Sequence, residues 1–315
     1  MADAPLRLSV AALADRLEGF VTDYLKDKSK ETRGTYRRAL NEFERYHGVR
    51  AARPSSRFRF VEKDIEAYKA YLMEERELSQ VSVSTYLTAL RRLCDYLVAR
   101  GDLEENPARG VKGNRRPSSH SRGVLTEVQV EELLASIPQA TEIGRRDRAL
   151  VALMVFGGLS EVELVRADVG DIDRTLMGTF LRVQGKGRQS KDQTVPLDPP
   201  AVDPLEIYLL SREKAGSDAP LFVSHGHRSA GTRLNTRSVR GRINTHLRAA
   251  KLKARGISPH SLTHTAALIW LNSGMPVEDV RRRMRHGTLE TTMISFKKQG
   301  LLKPQDDDGE TGDEE

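Results

Sequence analysis

Apolar residues recur at helical spacing through most of the first hundred positions. Leu13, Leu17, Phe20, Val21, Tyr24 and Leu25 outline a first helix, and Tyr36, Leu40 and Phe43 mark the inner side of a second over Thr32 to Tyr46. That leaves Arg33, Arg37, Arg38 and Arg45 mostly outward. A third helix is expected over residues 61 to 77. A fourth opens near Ser79, where Ser82, Ser84 and Thr85 offer caps, and continues through Tyr86, Leu90, Leu93 and Leu97 to Gly101, with Arg91 and Arg92 on its other side. Taken alone, these arginines read as a solvated helix face. The period breaks over residues 106 to 123, NPARGVKGNRRPSSHSRG, whose Pro, Gly and Ser with Arg109, Lys112, Arg115, Arg116 and Arg122 read as a basic linker.

The pattern changes after Val124. LTEVQVEELLASI is a capped helix, and RALVALMVFGGLSEVELVRADVGDID predicts a mostly buried helix, a Gly-Gly break and a further helix start. TFLRVQGKGRQSKDQTVPL reads as strand, turn, strand: Phe180, Leu181 and Val183 precede Gly185-Lys186-Gly187, and Val195 and Leu197 follow it. An apolar run, LFVSHGH, comes next, then a helix around Arg237 to Arg248. The last stretch predicts three short helices. In SLTHTAALIWLN, Leu262, Ala266 and Ile269 form one stripe, closed by Gly274 as a left-handed cap. Pro276 suits the first turn of the next helix, where Val277, Val280 and Met284 are inward and Arg281, Arg282, Arg283 and Arg285 crowd its end. Thr288 caps the third, with Leu289, Met293 and Phe296 on one side.

Charge narrows the function classes. The formal net charge is +7, yet the last ten residues, DDDGETGDEE, carry seven acids and no base, so the rest of the chain stands at +14. This is a polyanion-binding balance. The acidic end reads as a solubilising tail, or as a competitor for the basic surface. The single cysteine, Cys94, lies in the apolar register of a helix and has no partner for an internal disulfide. No apolar run reaches membrane-spanning length, and MADAPLRLSV lacks a signal peptide's apolar core. A cytoplasmic, nucleoid-associated protein without membrane contact is expected. No metal or other cofactor is implied.

Several landmarks, taken in order, resemble the tyrosine recombinases of the phage-integrase family. His260, Leu262 and His264 match its His-x-Leu-Arg-His, with His286 and a Thr-Thr pair beyond. Gly-Leu-Ser-Glu-Val-Glu-Leu, ending at Leu164, is similar to Gly-Leu-Arg-x-x-Glu-Leu, and Gly185-Lys186-Gly187 matches the lysine-bearing hairpin. The Ser/Thr-opened helix with Ala-Leu-Arg-Arg-Leu-x-x-Tyr-Leu is similar to the family's core-binding domain. The resemblance covers about residues 10 to 300. It implies a mainly α chain with a small β-sheet: an N-terminal helical, SAM-like core-binding domain over 1–107, a linker over 108–123, a recombinase-type α+β domain over 124–303 and an acidic tail over 304–315. It also implies duplex DNA as the partner, gripped between the two domains.

The same resemblance exposes departures where chemistry is done. Family members attack a phosphodiester with a tyrosine, hold the pentavalent phosphate with two arginines, assist with two histidine-type groups and protonate the leaving oxygen with the lysine. Glu163, Lys186, His260 and His286 remain, but Ser160 and Thr263 stand at the arginine positions and Ser295 at the nucleophile. Leu-Gly-His has become Met284-Arg285-His286. Arg166 and Arg285 are the nearby cations, and no spacing argument brings them to the site. The expectation is a sequence-specific DNA-binding protein without strand cleavage, serving as an accessory, architectural or regulatory factor in site-specific recombination or mobile-element maintenance. It would work beside an active recombinase or by self-association on DNA. The expected contacts are Arg33, Arg37, Arg91, Arg92, Lys112, Arg115, Arg116, Lys186, Arg188, Arg240, His260 and His286. Two alternatives stay open: an active integrase with an unconventional nucleophile, and a protein-interaction module that no longer binds DNA.

Overall fold

The computed structural model describes residues 8–51, 58–113, 123–185, 187–212, 214–254 and 256–285. The chain divides into two compact units, Met1–Ser118 and Ser119–Glu315. In the first, α1 (Val10–Gly19) begins on Ser9, whose hydroxyl accepts from the Ala12 N–H, and runs into a wider π turn over Phe20–Tyr24. Then come α2 (Lys30–Ala51), α3 (Glu62–Glu74) and α4 (Gln80–Ala99), the last capped by Ser79. Their inward stripes meet in one core built on Leu13, Phe20, Leu40, Phe43, Tyr68 and Leu90, among others. Cys94 is fully buried in it, and burial pushes its thiol up to about 12, so it is chemically silent. The periodicity therefore translated directly into four packed helices.

The second unit is organised around α6 (Glu142–Val155), buried continuously from Ala149 to Val155. Against it lie α5 (Glu127–Ala135), opened by a Thr126–Gln129 capping box, and α8 (Pro199–Leu210), α9 (Thr236–Ala249) and α10 (Pro259–Asn272). The short α7 (Glu161–Arg166) leads into a three-stranded antiparallel sheet of order β1-β2-β3, with β1 at Ile172–Thr175, β2 at Gly178–Val183 and β3 at Gln193–Leu197. Leu181 pairs with both Ile172 and Val195, so the expected hairpin is present and gains a strand. The apolar run around Phe222 is held by two isolated bridges, Asp168 to Pro220 and Val223 to Arg233.

Two details differ from the hydropathy reading. Helix α8 (Pro199–Leu210) was not anticipated, although Ala201, Leu205 and Tyr208 form its buried stripe. Helix α10 is buried on nearly every side from Ser261 to Ala267, because α6, α9 and α11 (Val277–Arg283) all pack on it. Gly274 does take the left-handed conformation, at φ +86°. The helix expected from Thr288 lies outside the described residues, as do Arg115, Arg116, Lys186, His286 and Ser295. No helix among the described residues is long and apolar enough to cross a membrane.

Candidate functional site

Gly157-Gly158-Leu159 turns the chain from α6 into α7. Gly158 sits at φ +60°, and a Cβ there would fall 2.7 Å from the Trp270 ring of α10, so both conformation and space demand glycine. Ser160 follows as the N-cap of α7. Its hydroxyl donates to Glu163 Oε2 at 2.7 Å and accepts from the Glu163 N–H at 3.4 Å, while the Ser160 N–H donates to the same carboxylate oxygen at 2.7 Å. The hydroxyl at the position of an expected arginine is thus a helix cap.

Arg285 closes the site from the other end of the unit. It lies just beyond α11 at φ +56°, a left-handed conformation that costs a non-glycine residue about 1–2 kcal/mol. Its Nε donates to Glu163 Oε1 at 2.6 Å, and Nη2 donates to Glu163 Oε2 at 3.0 Å and to the Gly158 carbonyl at 2.8 Å. Nη1 donates to the Arg283 carbonyl. The two side chains are only 9% and 6% exposed. Burial by itself would raise the Glu163 carboxyl, but the Arg285 charge and hydrogen bonds outweigh it and hold the group below its ordinary range. Arg285, at the position where the family's motif has glycine, thus brings a guanidinium onto Glu163 near the start of α7, with its donors spent on the chain's own acceptors.

Thr263, at the second expected arginine, is 5% exposed, and its Oγ1 donates to the Leu159 carbonyl at 3.1 Å. One turn apart on α10, the His260 and His264 rings meet edge-on with centroids 4.7 Å apart. The far end of α7 reaches the β2–β3 loop: Arg166 Nη1 donates to the Gly185 carbonyl at 2.8 Å, next to Lys186 in the chain. Lys191 in the same loop bridges Asp168 and Asp171. Burial alone would lower its ammonium pKa, but those two carboxylates hold it above the ordinary value. Helix α7 thus meets the residue that follows α11 near its start and the β2–β3 loop at its far end.

The cations expected at the partner surface fall into three groups. Arg33, Arg37 and Lys112 are exposed, while Arg92 is exposed beside Asp95 and Arg188 beside Asp192. Arg240 is exposed and donates through Nε to Glu161. Arg91 differs from the expectation: its Nε and Nη2 donate, each at 3.1 Å, to the carbonyls of Ala108 and Val111, so it folds the segment after α4 back onto the helix. Helical period places Arg91 outward, but it carries no information about a loop that returns to cover it. The described residues contain no group of three or more His, Cys, Asp or Glu side chains able to hold a metal ion.

Comparison with known proteins agrees with this layout. Residues 123–299 match the phage integrase family and residues 13–114 match the phage integrase SAM-like domain. A tyrosine recombinase XerC of Chlamydia caviae is 31% identical over 248 residues, covering 78% of this chain and 76% of that protein. One from Myxococcus xanthus is also 31% identical, over 257 residues, with 73% and 82% covered. Among solved structures, XerH site-specific recombinase bound to a palindromic difH substrate aligns with a TM-score of 0.69 at 19% identity, covering 93% of this chain and 83% of that one. The fold, the order of the two units and the relatives agree: this chain belongs to the phage integrase family of tyrosine recombinases.

Proposed function

We propose that the chain binds duplex DNA and does not cut it, acting as an accessory, architectural or regulatory factor in site-specific recombination or mobile-element maintenance. Its partners are an active recombinase or further copies of itself on the same DNA. One observation carries the loss of cleavage: the hydroxyls of Ser160 and Thr263 are committed to Glu163 and to the Leu159 carbonyl, and neither presents a charge to a ligand. Losing one preorganised charge donor costs on the order of 100- to 1000-fold in rate, so two independent losses amount to roughly 10⁴- to 10⁶-fold. Binding rests on Arg33, Arg37, Arg92, Lys112, Arg188 and Arg240, together with Arg115, Arg116, Lys186, His260 and His286. Arg91 leaves the set, because its donors hold the chain's own carbonyls.

The experiment is incubation of the purified protein with duplex and nicked DNA from its own genomic neighbourhood. Retarded bands and denaturant-resistant adducts are both scored. The expected result is a retarded band with no adduct. If six to ten phosphates are contacted, affinity falls by roughly 10³- to 10⁵-fold between about 50 and 200 mM salt. Binding that ignores salt, or no binding to any duplex, sinks the proposal and leaves the protein-interaction reading. A second reading, an active recombinase with an unconventional nucleophile, is favoured by the relatives named as tyrosine recombinases. An adduct would establish it.

A further inference from the structure

Helix α9 displays four arginines and no acid: Arg237, Arg240, Arg242 and Arg248. Val239, Ile243 and Leu247 hold it in the core, and Arg240 and Arg242, two positions and about 200° apart, flank that stripe on either side. Two of the arginines share an arrangement. Arg240 donates through Nε to Glu161 Oε1 at 3.1 Å, and Arg242 through Nε to Asp147 Oδ2 at 2.7 Å. Both carboxylates are buried, with side chains 7% and 1% exposed, whereas the arginines are 56% and 41% exposed. In each case the inner edge of the guanidinium is fixed by a buried acid. The terminal Nη1 and Nη2 have no partner among the described residues. Gly241 stands between the two, and a Cβ there would meet nothing within 4 Å.

A guanidinium has five N–H donors in a rigid fork, so anchoring Nε fixes where the outer pair points. An arginine held this way has already lost most of the rotamer freedom that contact with an anion would otherwise remove. Arg285 is the contrast within the same unit, since its donors are turned inward to Glu163 and two carbonyls. We infer that Arg240 and Arg242 are a preorganised pair of phosphate ligands for a nucleic-acid backbone, with Glu161 and Asp147 as their positioning residues. The inference rests on the DNA-binding reading above. Asp147 is well suited to the task, because Arg146 and His246 also donate to it and keep its charge balanced if Arg242 changes.

The test is a salt titration of duplex binding by the full chain and by R242Q, R242K and the paired variant E161Q/R240Q, in which no buried carboxylate is left without a partner. Thermal melts of each protein run alongside. R242Q and E161Q/R240Q are each expected to weaken binding on the order of 10-fold and to flatten the slope of log K against log salt by about 0.9, one phosphate contact apiece. R242K should not rescue, because a lysine reaching Asp147 has no second edge to offer. Melting temperatures within a few degrees of the parent exclude unfolding as the cause. If the parent binds DNA with the expected slope while R242Q and E161Q/R240Q keep that slope, or R242K restores full affinity, the pair is ordinary surface charge and the inference fails alone. If the parent binds no duplex, the DNA-binding reading fails and takes this one with it.

Discussion

Replacing Arg285 by glycine is expected to destabilise the second unit by about 1–4 kcal/mol, although it removes a strained backbone. Glycine at φ +56° relieves about 1–2 kcal/mol. Against this, Glu163 is left buried without its cation, and breaking one side of a buried pair costs about 3–5 kcal/mol. The larger effect wins. E163Q/R285G, which removes the stranded charge and keeps an acceptor for the Ser160 cap, should recover most of the loss. Urea midpoints of the parent, both single variants and the double give the coupling directly. The pH dependence adds a sign. In the parent the Glu163 pKa is depressed, so its stabilising contribution is full above the ordinary carboxyl value and is lost as pH falls through the lower folded value. In R285G burial, which raises the pKa, is opposed by the Ser160 hydrogen bonds alone, so the contribution that ionised Glu163 makes at neutral pH shrinks. The stability gap between parent and R285G should therefore be wide at neutral pH and narrow in acid. A gap that widens in acid would mean that the ion pair is not what holds Arg285 in place.

Local signals were readable in the sequence, and long-range ones were not. The start of α4 near Ser79, the cap at Thr126, the β2–β3 hairpin and the left-handed Gly274 each depend on residues within a few positions of one another, and the structure contains all of them, although the α4 cap is Ser79 itself while Ser82, Ser84 and Thr85 lie inside the helix. Strand β1 was missed because only Ile172 of its four residues is buried, which leaves no alternation to detect. Pro199, Pro200 and Pro204 hid α8 behind a turn-like composition, although two of them sit in its first turn, where no N–H is required. At the site, the motif spacing located Ser160, Glu163 and Thr263; Ser160 caps α7 through Glu163 three residues on, but the roles of Glu163 and Thr263 depend on groups far along the chain. Arg285 meets Glu163 across 122 positions and Arg242 meets Asp147 across 95. No periodicity carries that information. A non-glycine residue where the family's motif has glycine was the one visible sign that Arg285 had a specific task.

Restoring the nucleophile alone is expected to restore no measurable cleavage. S295Y should bind DNA like the parent and still form adduct roughly 10⁴- to 10⁶-fold more slowly than a family member with both arginines, because the phenol was never the only missing part. The transition state gathers negative charge on the equatorial phosphate oxygens, and what stabilises it is fixed positive charge. Neutral hydroxyls are weaker donors than guanidinium groups, and those of Ser160 and Thr263 already have acceptors. Nor does T263R follow simply, since residue 263 is 5% exposed on a helix packed on three sides and a guanidinium there must displace its surroundings. S160R is obstructed differently: it removes the α7 cap and sets a second guanidinium against the one carboxylate that Arg285 already occupies. The exchange S160R/R285G gives Glu163 a single arginine again and returns glycine to the left-handed position. It should accordingly be more stable than S160R or R285G alone, and reconstruction of cleavage has to begin from that background, with T263R and S295Y added afterwards. Suicide substrates carrying a nick beside the scissile phosphate would trap any adduct formed along the series. Efficient trapping by S295Y alone would show that the transition-state charge is met by groups other than residues 160 and 263, and would overturn the reading of this site as a binding surface.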